Sequence, residues 1–205
     1  MRSQWLALVK QLVFGVDTTS AIMLCAVLGM IFNPHPGFLP AVGYLLLAGF
    51  GNYLPDLDMV PYLLLRKRFG WRCHWDVGGH YPLIVLPLVG ILTFLVARTT
   101  NIDNPIFATI LVLACTFTHF VHDSTALPGF PWLSPFKKNV HMTLFYGWPR
   151  IITDAAFLED LKRLNERLEK ASIDEALAAH GEPTTVWHFI AWIVAVGMFC
   201  YWVAM

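Results

Sequence analysis

Five carboxylate and imidazole residues stand at the ends of apolar runs, where such groups are costly to leave without a partner. Asp56 and Asp58 follow one run in Leu54-Pro55-Asp56-Leu57-Asp58, His80 opens the next, and His119 and Asp123 close a third. Imidazole nitrogen and carboxylate oxygen are ligands for zinc above all, with manganese and iron as alternatives. A site of this kind with an open position polarises a phosphoryl or carbonyl oxygen and lowers the pKa of bound water. The chemistry implied is metal-assisted hydrolysis.

The spacing within each group sharpens this. His119, His122 and Asp123 sit at i, i+3 and i+4, so on a continuing helix they share one face. Pro55 biases Leu54 away from helix, and in an extended stretch Asp56 and Asp58 would point the same way. Acids are also unfavourable at a helix C-terminus, where the dipole is negative. His74 and His80 flank Asp76 and the Gly78-Gly79 pair, whose freedom lets a backbone pass close to a neighbour. The ligand set is therefore Asp56, Asp58, His74, His80, His119, His122 and Asp123, enough for one ion or two. Asp58 or Asp76, if not fully used as a ligand, would serve as general base. Taken alone, the His119–Asp123 group reads equally well as a helix end reaching headgroups and water, a reading weakened for Asp56 and Asp58 by the helix dipole, and a lone loop histidine is usually nothing. Their convergence is what argues for a metal.

The elements that must position these residues are membrane helices. The 205 residues are one domain's worth, 57% hydrophobic and only 14% charged, where soluble chains carry about 25% charged residues. Mean hydropathy is +0.57. Five segments approach the length of roughly 20 apolar residues that crosses a bilayer core: 18–32, 38–54, 81–96, 105–121 and 186–205. Asp17 interrupts the run before the first, so a four-span arrangement without it stays open, with Trp5 anchoring an interfacial N-terminal segment. With five spans and the N-terminus inside, every Lys and Arg except Arg98 falls on the cytoplasmic side. The same orientation brings the His and Asp groups to that face. Span centres poor in polar groups disfavour transport, and nothing in the zero net charge points to nucleic acid.

Residues 123–185 form the largest polar segment. Its first part, Ser124 to Arg150, interleaves Phe130, Trp132, Phe136, Phe145, Tyr146 and Trp148 with prolines. Such rings are ordinary interfacial anchors. The alternative is a lid on a lipid-like substrate, with Lys137, Lys138 and His141 facing its phosphate. From Asp154 to His180 the pattern is an amphipathic helix with Glu159–Arg163 and Glu166–Lys170 pairs, packing on the membrane face or recruiting a protein partner. Cys25, Cys115 and Cys200 lie in apolar runs and Cys73 in a polar loop, without a CxxC pair. They read as free thiols.

With these residues in view, Leu54-Pro55-Asp56-Leu57-Asp58 resembles the LPDxD motif of the inner-membrane metal-dependent hydrolases of the YdjM type. His119-Phe120-Val121-His122-Asp123, followed by Pro128-Gly129-Phe130-Pro131 and Pro135-Phe136, is similar to that family's HxxxD segment and its proline-aromatic continuation. Gly79-His80-Tyr81 stands where the family has Thr-His-Ser. In the family the first histidine of that middle motif is followed by arginine and precedes the second by five residues. Here Trp75 follows His74, and the interval is six. The resemblance covers Gly51 to Phe136 and carries over Asp56, Asp58, His80, His119 and Asp123.

The expectation is an all-α, polytopic bundle of about five membrane helices in a bacterial inner membrane, with the lipid bilayer as its surroundings. The expected function is metal-dependent hydrolysis of a phosphate or other ester near the interface. One alternative is a non-enzymatic scaffold with a structural metal and a partner-binding helix. Another, an HD-type pattern of His80, His122-Asp123 and Asp154, leaves Asp56 and Asp58 unused.

Overall fold

The computed structural model describes residues 15–58, 79–124 and 186–205 continuously, together with 13, 60, 64, 132–133, 136, 141–143, 150–152, 159 and 163. Five α-helices lie among them: α1 (Val16–Phe32), α2 (Phe38–Tyr53), α3 (Pro82–Thr99), α4 (Pro105–Asp123) and α5 (Val186–Ala204). The architecture is the expected helical membrane bundle. Helices α3, α4 and α5 are long and apolar enough to cross a membrane by length and composition, while α1 and α2 are shorter apolar helices of 17 and 16 residues. A small antiparallel ribbon adds to the helices, pairing β1 (His141–Thr143) with β2 (Arg150–Ile152) in the register His141 to Ile152. It falls where the sequence had indicated only loop.

The helix ends follow local chemistry. Pro82 and Pro105 occupy first helical positions, where a missing N–H leaves no bond unmade. Asn104 caps α4, its Oδ1 accepting from the Phe107 N–H at 2.9 Å. The left-handed Asn101, at φ 54°, turns the chain between α3 and α4.

The chain divides into two compact units. One comprises Met1–Tyr53, Leu86–Thr118 and Glu182–Met205; the other comprises Leu54–Val85 and His119–Gly181. In the first, α1 packs against both α2 and α5. Its core mixes small residues (Ala21, Cys25, Ala41, Ala48, Ala108) with a few large ones (Tyr44, Phe107, Trp202). Small side chains let helix backbones approach, which matters where apolar burial gives no drive between helices in lipid. At Gly29 the approach is extreme, since a Cβ there would run into the Trp202 indole. The indole N–H donates to Asn33 O at 2.9 Å, tying the end of α5 to the end of α1. Cys25 and Cys115 are buried free thiols, and Cys200 is free and exposed.

Each end of this unit is fastened separately. Near the start of α1 and the end of α2, Thr18 and Tyr53 share a 2.7 Å hydrogen bond, and the Asn52 amide donates to Asp17 O and to Ser20 Oγ. At the opposite end of those helices, His35 Nδ1 lies 3.0 Å from Met205 O, and Asn104 Nδ2 donates to Phe32 O at 3.5 Å.

Candidate metal centre

The second unit contains the His and Asp residues. Leaving α2, the chain makes a tight 3₁₀ turn, Pro55–Asp58, closed by Leu57 N–H to Leu54 O at 3.2 Å. Proline ends the helix as the sequence indicated, but the following stretch is not extended. Its fixed φ suits the first position of a helical turn as well as a strand. In a 3₁₀ turn residues advance by about 120°, so i and i+2 diverge instead of pointing the same way. Asp56 and Asp58 therefore face different targets.

Those targets are the two edges of one ring. His80, in the turn before α3, is fully buried, and its Nδ1 donates to Asp58 Oδ2 at 2.9 Å. On the other edge, His80 Nε2 lies 3.1 Å from Asp123 Oδ2 and 3.7 Å from Asp56 Oδ1. His119, one turn before the end of α4, brings its Nε2 to 3.3 Å from Asp123 Oδ2 and 3.4 Å from Asp56 Oδ1. His80 Nε2, His119 Nε2, Asp56 Oδ1 and Asp123 Oδ2 thus form a closed circuit.

These separations identify the kind of group that fits between the donors. Metal–ligand bonds of roughly 2.0–2.1 Å in a tetrahedron put adjacent donors about 3.3–3.4 Å apart. The four edges scatter around that value. Three of the four are longer than a well-formed N–H···O bond. Asp56, His80 and His119 present ligand atoms all within 4.8 Å of one another; Asp123 falls outside that group and joins it through its contacts with the two imidazoles. A divalent cation fits the Asp56, His80 and His119 group.

Electrostatics around His80 have a definite sign. Burial works against the imidazolium. Hydrogen bonds to Asp123 and Asp58, with their charges, outweigh it and raise the pKa above the ordinary imidazole value. The site is largely shielded: the His80 and His119 side chains are 1% and 3% exposed, Asp123 15%, and Asp56 30%. Asp56 is the donor that water reaches.

The remaining sequence-indicated residues separate into groups. His122 is half-buried on the last turn of α4 and is not among the grouped ligand atoms. Of His141 only the backbone is described, in β1. His74, Asp76, Lys137, Lys138 and Asp154 lie outside the described residues, as does nearly all of the segment 154–180 where a helix is expected. From that segment the expected Glu159–Arg163 pair is present at 3.9 Å.

Two supports were not anticipated. Ser124 Oγ donates back to Phe120 O at 2.7 Å and accepts the Trp132 indole N–H at 2.8 Å. Phe120 stands edge-on to His80, His119 and Trp132, forming an apolar wall beside the imidazoles. The sequence marked Trp132 only as one of several interfacial rings. The second support is Gly79, where a Cβ would lie 2.6 Å from Asp58 Oδ2. The Gly78-Gly79 pair signalled a close approach without saying to what.

Helices of this length and apolarity, with a buried His/Asp cluster where helices end, define a polytopic membrane protein carrying a candidate metal centre. The family described as YdjM inner membrane protein matches residues 16–205, and the chain belongs to that family. No curated relative and no solved structure matches it significantly.

Proposed function

We propose that His80, His119, Asp56 and Asp123 hold one divalent metal, zinc in first place, and that the protein hydrolyses a phosphate or other ester at the membrane interface. The observation carrying this is the circuit of donor separations of 3.1–3.7 Å around the two Nε2 atoms. A metal held there would supply a Lewis acid and, if its coordination expands beyond the four protein donors, a water of lowered pKa. The chain's own residues do the rest. The two imidazoles and Asp123 fix the position from within, and the Phe120 wall excludes water behind them. Asp56 would hold the metal through one carboxylate oxygen and leave the other as a proton acceptor beside it. That gives Asp56 the general-base role for which the sequence offered Asp58 or Asp76. Lys137, Lys138 and His141 remain the groups proposed to meet the substrate's phosphate. The charge distribution argues that this chemistry faces the cytoplasm of a bacterial inner membrane, with the N-terminus on that side.

The scaffold reading has one observation in its favour, because four protein donors fill a tetrahedron as structural sites do. The 30% exposure of Asp56 weighs against it by leaving one side of the cluster open. The deciding experiment compares detergent-purified wild type with His119→Ala. Wild type is expected to retain about one equivalent of metal and to cleave a phosphate or carboxylate ester, with both lost in the variant. Metal without hydrolysis across both ester classes would favour the scaffold; no metal after reconstitution, with the fold intact, would overturn both readings.

A further inference from the structure

Asp58 is in the same short motif as Asp56 and is almost wholly buried, its side chain 2% exposed. Its contact with the donor circuit described above is with His80. Its Oδ2 accepts from Nδ1, the ring nitrogen opposite the one that faces Asp56 and Asp123. An ionised carboxylate is acceptor-only, so the bond requires a proton on Nδ1. In the neutral ring the lone pair then lies on Nε2, inside the circuit. Gly79 braces this arrangement from behind. A side chain at 79 would place its Cβ 2.6 Å from Asp58 Oδ2, 2.7 Å from its Cβ and 2.8 Å from its Cγ. Only a residue without a Cβ lets Asp58 sit where it reaches His80. Three residues from two segments therefore act as one device, glycine to carboxylate to imidazole.

We infer that Asp58, seated by Gly79, is a positioning residue that sets the tautomer and orientation of His80 for metal binding and does not itself bind the metal. This rests on the metal-centre reading above. Carboxylates on the far nitrogen of a ligating histidine typically contribute about 10–100-fold in metal affinity. The consequence is a division of labour within Asp56-Leu57-Asp58, in which the first acid is a ligand and the second acts through a ring.

The test is cobalt(II) binding to the full-length detergent-purified protein, read both as affinity and as the visible absorption of the bound ion, whose intensity and position report its ligands. Asp58→Ala should weaken binding by about 10–100-fold, with the four-coordinate spectrum of wild type preserved at saturation. Asp58→Asn keeps the shape and an acceptor for Nδ1–H while losing the charge, and should fall between the two. Gly79→Ala should weaken binding in the same direction with Asp58 intact. Wild-type affinity in Asp58→Ala would overturn the inference, and so would a changed cobalt spectrum, since Asp58 would then be a ligand. Should Asp58→Ala fail to fold, Asp58→Asn carries the same two criteria. Failure of wild type to bind cobalt would instead remove the metal centre itself.

Discussion

His80 has two ring nitrogens, and the fold supplies each with a carboxylate partner: Asp58 on Nδ1, Asp123 and Asp56 on Nε2. Without metal, such a ring is best satisfied doubly protonated, which is why its pKa is raised despite burial. The linkage follows directly. A group whose folded pKa is raised contributes stability that is fully present below its unfolded value, about 6.5, and lost as pH rises through the folded value. Chelator-treated protein should therefore melt at progressively lower temperature as pH is raised above about 6.5. Metal affinity should move the other way, because ligand nitrogens must shed protons. Thermal melts across pH, with and without zinc, check both arms; a chelated protein that gains stability over that range would contradict the arrangement around His80. At this scale the sequence was informative about identity and weak on direction. Polar residues closing apolar runs pointed to Asp56, His80, His119 and Asp123. The direction of Asp58 depends on a 3₁₀ turn that Leu54-Pro55-Asp56-Leu57-Asp58 does not distinguish from an extended one, since proline's φ suits both.

Elements position the site by where they end, and the spacing between α2 and α4 is set at Gly51. A Cβ at that position would meet Val112 O at 2.9 Å and Val112 Cα and Cγ1 at 3.1 Å. Most of that obstacle is backbone, which cannot move aside by changing a rotamer. Thr116, one turn further along α4, donates to Gly51 O at 2.8 Å while also bonding Val112 O in its own helix. Gly51→Ala should destabilise the protein by about 1–3 kcal/mol through overpacking. Thr116→Val, of similar shape without the hydroxyl, should cost about 1 kcal/mol. The two act on one contact, so the double variant should lose less than the sum of the single losses. Denaturation in detergent measures all three, and simple additivity would show that the helices are held apart by something else. Proline made one helix end readable in advance, at Pro55, while the Asn104 cap of α4 was not singled out. The pairing of Gly51 with Val112 and Thr116 was not readable, because a small residue in an apolar run carries no record of its distant neighbour.

Across the whole molecule, the question left by helix length is whether α1 and α2 cross the bilayer. At 1.5 Å per residue their 17 and 16 residues span about 24–26 Å, short of a typical 30 Å core. Their packing within one unit argues that they cross nonetheless. The turn between them meets the C-terminal end of α5 through Trp202 with Asn33 O and His35 with Met205 O, and Asn104 before α4 through Phe32 O. The far ends of α1 and α2 are fastened to each other by Thr18, Asn52 and Tyr53. A connecting turn bonded to the ends of two membrane-length helices is what five crossings predict, with α1 and α2 tilted or seated in a locally thinned bilayer. Counting spans from hydropathy left the first one open because Asp17 interrupts it. Asp17 is instead the carbonyl acceptor of the Asn52 amide and the Ser20 hydroxyl at the helix start. The proposed orientation then puts residues 33–37 outside and residues 55–80 inside. A variant with Cys73 as its only cysteine should react with a membrane-impermeant maleimide only after cells are opened, whereas His35→Cys in a cysteine-free background should react on intact cells. Label on neither until cells are opened would reduce the chain to three crossings with the same charge bias. Cys73 reacting from outside would reverse the orientation and move the metal centre to the other face of the membrane, along with every substrate argument that depends on the cytoplasm.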